Sequence, residues 1–236
     1  PTGFFIIGGP QAAGKSSVIK YIHSKYQSVV PLLTRGRKGS DAPKDENEYK
    51  NLISLQEMRQ IVVHKYNLLG AIYMQKSDEL EIIESDLKRM DKILAYRDDR
   101  LYLDECNVFT LAHSKAHKID VNGYFHDYYD RLKKLDVKVL FLDIPPETSW
   151  QRRKLRYEER IESFLPEERE KIMKMYKEYL FKLQPLTLEL YEQLDFPKIK
   201  IDANVPYEDS LQKAGETFKK MATVHGTKIE KNLIFS

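Results

Sequence analysis

The run Gly9-Pro10-Gln11-Ala12-Ala13-Gly14-Lys15-Ser16 constrains this chain more than any other feature. It fits G-x-x-x-x-G-K-[ST] at every fixed position, and its flanks fit as well. Phe4-Phe5-Ile6-Ile7 reads as a buried parallel strand, and Ser17-Val18-Ile19-Lys20-Tyr21-Ile22 reads as a helix. Glycines let such a loop wrap a polyphosphate with its N–H groups turned inward, and the helix that follows adds the positive end of its dipole. The pattern therefore predicts a nucleoside triphosphate held by Gly9, Gln11, Ala12, Ala13, Gly14 and Ser17. Lys15 reaches the terminal phosphates, and the Ser16 hydroxyl ligates Mg²⁺. A chance glycine turn would not sit so neatly between a strand and a helix.

The rest of the chain reads as one α/β domain over residues 1–236. Strand patterns at Gly3–Gly8, 28–33, Leu101–Glu105, Val137–Asp143 and 199–202 alternate with helical ones, which predicts a parallel sheet. Leu80, Ile83, Leu87, Met90 and Leu94 form one helical stripe; Ile172, Tyr176, Tyr179, Leu183, Leu186 and Leu190 form another. Both read as core, and Pro185 should kink or split the second helix. A net charge of +3 is too small to argue for nucleic acid as a bulk partner. No basic stripe with interleaved aromatics argues for it either. One cysteine excludes an internal disulfide and fits a reducing, cytoplasmic compartment. No apolar run is long enough for a membrane span, and the early first strand leaves no room for a signal or transit peptide.

Two further constellations suggest chemistry. Leu101-Tyr102-Leu103-Asp104-Glu105 is an apolar strand ending in two carboxylates. Alternation sends them to opposite faces, so only one can face the metal; Asp104 is placed there, with Glu105 as the alternative, while the other accepts a hydrogen bond from substrate or acts as a base. After the fourth strand, an L-D-x-P-P-E turn precedes a helix carrying Arg152, Arg153, Arg156 and Arg160. Arg152, Arg156 and Arg160 share one face. Over residues 151–163 this reads as a lid whose guanidinium groups stabilise a transferring phosphate and whose closure excludes water. The polar segment 35–51 reads as a substrate loop, and residues 226–236 as a loosely held tail. His113 and His117 stand at metal-binding spacing, but no third ligand is evident. Cys106 defaults to a small buried hydrophobe.

With these residues in view, the chain resembles the P-loop nucleoside and nucleotide kinases, most closely the thymidylate kinase-like group. The resemblance rests on residues 9–16, Leu103-Asp104-Glu105, residues 140–147, the arginine lid and Ile201-Asp202-Ala203-Asn204. It implies a five-stranded parallel sheet of order 2-3-1-4-5 with a helical lid. It also implies an ATP–Mg²⁺-dependent transfer to a nucleoside monophosphate such as dTMP, in nucleotide biosynthesis, and a homodimer formed through helices. In that family the I-D-A turn, here with Asp202 and Ala203, lies beside adenine. Lys15, Arg152, Arg153, Arg156 and Glu105 would carry catalysis.

Two departures stand out. The phosphate loop has no charge at its variable positions, so any catalytic arginine must come from the lid. The third strand ends in Asp104-Glu105-Cys106-Asn107, whereas thymidylate kinases carry D-R-Y/W and deoxynucleoside kinases E-R-S. Locally, the start of the chain resembles guanylate kinase. By that likeness Thr34, Arg35, Arg37 and Tyr49 would clamp an acceptor phosphate beside Asp104 and Glu105. A nucleoside kinase with a hydroxyl acceptor, and Glu105 as its base, is the alternative within the same chemistry. A nucleotide-dependent switch or assembly protein is the alternative outside it, although no N/T-K-x-D run for guanine is present.

Overall fold

The computed structural model describes residues 3–26, 28–32, 76–97, 99–105, 107–162 and 164–223. The expected substrate loop with Thr34, Arg35, Arg37 and Tyr49, the tail, Cys106 and the Arg160 side chain lie outside the described residues.

In chain order the elements are β1 (Gly3–Gly8), α1 (Lys15–Lys25), β2 (Val29–Leu32), α2 (Lys76–Ala95), β3 (Leu101–Glu105) and a 3₁₀ turn (Asn107–Thr110). There follow α3 (Leu111–Ala116), α4 (Asn122–Leu132), β4 (Val137–Asp143), α5 (Pro146–Arg160), α6 (Pro166–Gln193), β5 (Lys198–Asp202) and α7 (Tyr207–Thr223). The strands form one parallel sheet in the order β2-β3-β1-β4-β5, as the family resemblance implies.

β1 is central, and Phe4, Phe5, Ile6 and Ile7 are all fully buried. An unbroken apolar run is what a strand covered on both faces requires. On one face the Phe218 ring of α7 lies 4.7 Å from Phe5. On the other, Phe141 of β4 sits between Phe109, at 5.5 Å, and Tyr191 of α6, at 4.7 Å. Burying such side chains stabilises the fold by roughly 1.5–3 kcal/mol each. The register fixes where the site forms. Ile6 pairs with Asp104 and Ile7 with Glu105 on one side of β1, while Gly8 pairs with Phe141 on the other. The chain therefore leaves β1 between the acids of β3 and the exit of β4, at the carboxyl edge where ligands bind in such sheets.

A second, smaller core joins α5 to α6. It contains Trp150, Tyr157, Ile161, Ile172, Tyr176 and Leu180. The Tyr157 and Tyr176 rings stack at 4.1 Å and 19°, an arrangement worth about 0.5–1.5 kcal/mol beyond the area it buries.

One expectation needs correction: Pro185 does not split its helix, because α6 runs unbroken from Pro166 to Gln193. Proline forfeits one backbone hydrogen bond. The buried stripe continues across it, from Tyr176, Tyr179, Leu180 and Leu183 to Leu190 and Tyr191, and outweighs that loss.

Candidate active site

The phosphate loop has the backbone its glycines are needed for. Gly9 has φ +138° and Gly14 has φ +93°, while Ala12 is left-handed at φ +62°. A Cβ on Gly9 would stand 2.3 Å from the Leu142 carbonyl oxygen, so the loop leaves β1 pressed against β4. Gly14 caps α1 without any side-chain hydrogen bond, and no acidic residue lies in the first turn of that helix. Its first amides thus keep the unsatisfied positive end that suits an anion. Lys15 Nζ donates to the carbonyl oxygens of Gly9 (3.0 Å) and Pro10 (2.7 Å), folding its charge over its own loop. Ser17 follows in the first turn of α1, partly exposed.

The two acids that end β3 part company, as alternation requires. The Ser16 hydroxyl donates to Glu105 Oε1 at 2.7 Å across 89 residues of sequence. Asp104 is fully buried on the other face. It accepts both Arg89 guanidinium nitrogens at 2.7 Å and Asn107 Nδ2 at 2.5 Å. This corrects the expectation that Asp104 serves the metal: its carboxylate is turned into the protein and occupied there, while Glu105 meets Ser16.

Arg89, on α2, also donates to Asp86 Oδ1 at 2.7 Å, and Asp86 Oδ2 accepts the Tyr128 hydroxyl at 2.6 Å. Two carboxylates share one guanidinium, so this buried cluster carries one negative charge too many. Burial pushes the Asp104 carboxyl up to about 6, against the pull of Arg89. Burial alone would lower the Arg89 guanidinium, but the carboxylates of Asp104 and Asp86 hold it above its ordinary value. Sequence reading missed Arg89 and Asp86. Their i,i+3 spacing beside Leu87 and Met90 of an apolar stripe was the available signal.

Three segments converge around the phosphate loop. Ser149 Oγ donates to the Gln11 carbonyl at 2.6 Å, and the Tyr157 hydroxyl donates to Gln11 Oε1 at 3.2 Å. Arg152 donates from Nη1 to the Ala12 carbonyl (3.0 Å) and from Nη2 to the Ala203 carbonyl (3.1 Å). Ala203 N–H in turn donates to the Asp143 carbonyl at 2.8 Å, and Asp202 Oδ1 accepts Asn204 N–H at 2.8 Å. The structure thus brings the loop, the arginine helix and the I-D-A turn together. Arg152 spans two backbone carbonyls, while Arg153 and Arg156 lie half-buried on the same helix. Ser149 and Tyr157 were not anticipated.

No family model and no curated protein matches this sequence. Solved structures match its fold. The YorR protein of Bacillus subtilis, in complex with phosphorylated GDP, superposes with a TM-score of 0.52 at 14% identity, over 94% of this chain and 98% of its own. Deoxyadenosine kinase of M. mycoides with bound dATP gives 0.51 at 19% identity, over 92% and 99%. The same enzyme with dCTP gives 0.52 at 16%. The fold is that of the P-loop kinases. Identities this low show the fold and no more.

Within this P-loop kinase fold, the Ser16 hydroxyl oxygen suits Mg²⁺, which takes hard oxygen ligands. Elsewhere, His113 Nδ1 pairs with the Tyr179 hydroxyl at 2.6 Å, and His117 Nδ1 pairs with Glu79. Among the described residues no group of three His, Cys, Asp or Glu side chains could hold a metal ion. Among them, too, no helix is long and apolar enough to cross a membrane.

Proposed function

We propose that the protein transfers the γ-phosphoryl group of ATP to a small nucleoside-type acceptor, with a sugar hydroxyl of a deoxynucleoside as the receiving group. The observation that carries this reading is the 2.7 Å contact between Ser16 and Glu105, set in a complete phosphate loop beside an arginine helix. The likeness to deoxyadenosine kinase supports the acceptor class. A nucleoside monophosphate is the second reading. It draws on Thr34, Arg35, Arg37 and Tyr49 in the sequence as an anion clamp.

In this mechanism the loop amides and Lys15 hold the triphosphate. Ser16 would hold Mg²⁺, which supplies positive charge to the phosphate oxygens. Glu105 takes the proton from the acceptor hydroxyl as the new oxygen–phosphorus bond forms. The bond from the γ-phosphorus to the β–γ bridging oxygen breaks, and ADP leaves. Arg153 and Arg156 stabilise the charge on the transferring group, and Arg152 orders the donor side with Asp202 and Ala203. Positioning and charge stabilisation provide most of the rate in such transfers.

The test is ADP release from ATP–Mg²⁺ across nucleosides, deoxynucleosides and their monophosphates, with Lys15→Ala as the blank. Turnover with a deoxynucleoside supports the reading. Turnover with monophosphates alone replaces the acceptor, and release no greater than the blank with every acceptor overturns the kinase reading.

A further inference from the structure

The third residue of the phosphate loop is bound twice by one helix. Gln11 accepts Ser149 Oγ on its carbonyl at 2.6 Å and the Tyr157 hydroxyl on Oε1 at 3.2 Å. Its neighbour Ala12, at φ +62°, accepts Arg152 at 3.0 Å. Ser149 and Arg152 are three residues apart and Tyr157 lies about two turns beyond Ser149, so one side of α5 is docked on two consecutive loop residues. Tyr157 is itself held fast. Its ring is almost fully buried and stacks on Tyr176 of α6 at 4.1 Å. The hydroxyl therefore projects from a rigid support toward a loop whose backbone is partly left-handed.

We infer that Gln11 and Tyr157 are positioning residues that set the register of α5 against the phosphate loop, so that a polyphosphate entering the loop is felt by the whole arginine helix. The coupling runs through a direct bond between rigid parts. It places Arg153 and Arg156 on the same body as the loop they serve. The catalytic meaning rests on the kinase reading, but the coupling itself requires only nucleotide binding.

The chain supplies its own reporter. Trp150 is the sole tryptophan; it lies on α5 with its ring 6.4 Å from that of Tyr157. The experiment titrates the full chain with ATP–Mg²⁺ while following Trp150 fluorescence. Wild type should give a saturable change. Tyr157→Phe keeps the ring stack and removes only the hydroxyl. It and Gln11→Ala should each cut the fluorescence amplitude and weaken ATP binding about 3- to 10-fold, the loss expected of one hydrogen bond. The double variant should be no worse than the weaker single one, because both remove the same bond. Unchanged amplitude in Tyr157→Phe, or effects that multiply in the double variant, would overturn the inference. A merely structural role would lower Tm and leave the amplitude intact. Wild type that shows the signal but transfers phosphate to no acceptor would sink the kinase reading and leave the coupling standing. Normal transfer with intact amplitude in both variants would do the reverse.

Discussion

Arg89 donates from Nη1 and Nη2 to the two carboxylate oxygens of Asp104, at 2.7 Å each, where neither side chain meets water. Asn107, at φ +44°, binds the same carboxylate from two residues beyond Glu105. The backbone on both sides of Glu105 is therefore anchored to one buried ion pair. This explains how a solvent-facing carboxylate at a strand end is held within 2.7 Å of Ser16.

Removing one partner of a buried pair strands the other charge. Arg89→Met should destabilise the protein by about 3–5 kcal/mol, read from urea unfolding. Arg89→Met combined with Asp104→Asn should recover part of that loss, because one of the stranded carboxylates is gone. A loss below about 1 kcal/mol in the single variant would mean that the cluster is not held as described.

Asp104 also gives stability a pH dependence of unusual sign. Its folded value, about 6, lies above its ordinary 3.8. Between those values the native state binds the proton more tightly than the unfolded state, so stability contributed at this site falls as pH rises from about 4 to 6. The shift of about two units corresponds to at most about 3 kcal/mol. Carboxylates depressed by partners push the other way, so the comparison is with Asp104→Asn, which cannot titrate there. The stability advantage of wild type over that variant should shrink across the window. An advantage that holds constant or grows with pH would contradict the raised value.

The phosphate loop and the five strands were legible in the sequence because each is local; the sheet order came only from the family resemblance. A fixed motif, an unbroken apolar run or a strand-length segment carries its own signal. What escaped depended on pairing across distance. Alternation told that Asp104 and Glu105 face opposite ways, but not which faces the loop, since that is set by Arg89 on a helix outside the motif. Likewise, nothing in the arginine-rich run singles out Tyr157, which is buried. Its hydroxyl reaching Gln11 follows only from how α5 docks. The split expected at Pro185 did not occur because a local rule was set against the buried stripe that runs along the whole of α6.

The two loop glycines should respond differently to a methyl group. Gly9→Ala meets both a forbidden φ and the Leu142 carbonyl at 2.3 Å, a backbone atom that cannot yield cheaply. Gly14→Ala has the unfavourable φ but nothing within 4 Å. Strain alone costs about 1–3 kcal/mol. Gly14→Ala should fall in that range, and Gly9→Ala should exceed it, as measured by denaturant midpoints. Equal losses would mean that the close approach of β4 is not what requires Gly9.

The neighbouring acids should separate stability from turnover. In Glu105→Gln the amide oxygen can still accept the Ser16 hydroxyl, so the fold should keep its Tm. The variant can no longer take up a proton, and kcat should drop about 10²–10⁴-fold, the usual worth of a positioned base. The Asp104 carboxylate is taken up by Arg89 and Asn107, so Asp104→Asn should shift the unfolding midpoint more than kcat. Ser16→Ala should raise the Mg²⁺ concentration needed for half-maximal rate, since it removes an oxygen ligand without altering charge. Rate and thermal melts on these three variants decide the assignment. If Asp104→Asn loses turnover at unchanged Tm while Glu105→Gln keeps it, the roles given to the two carboxylates are reversed.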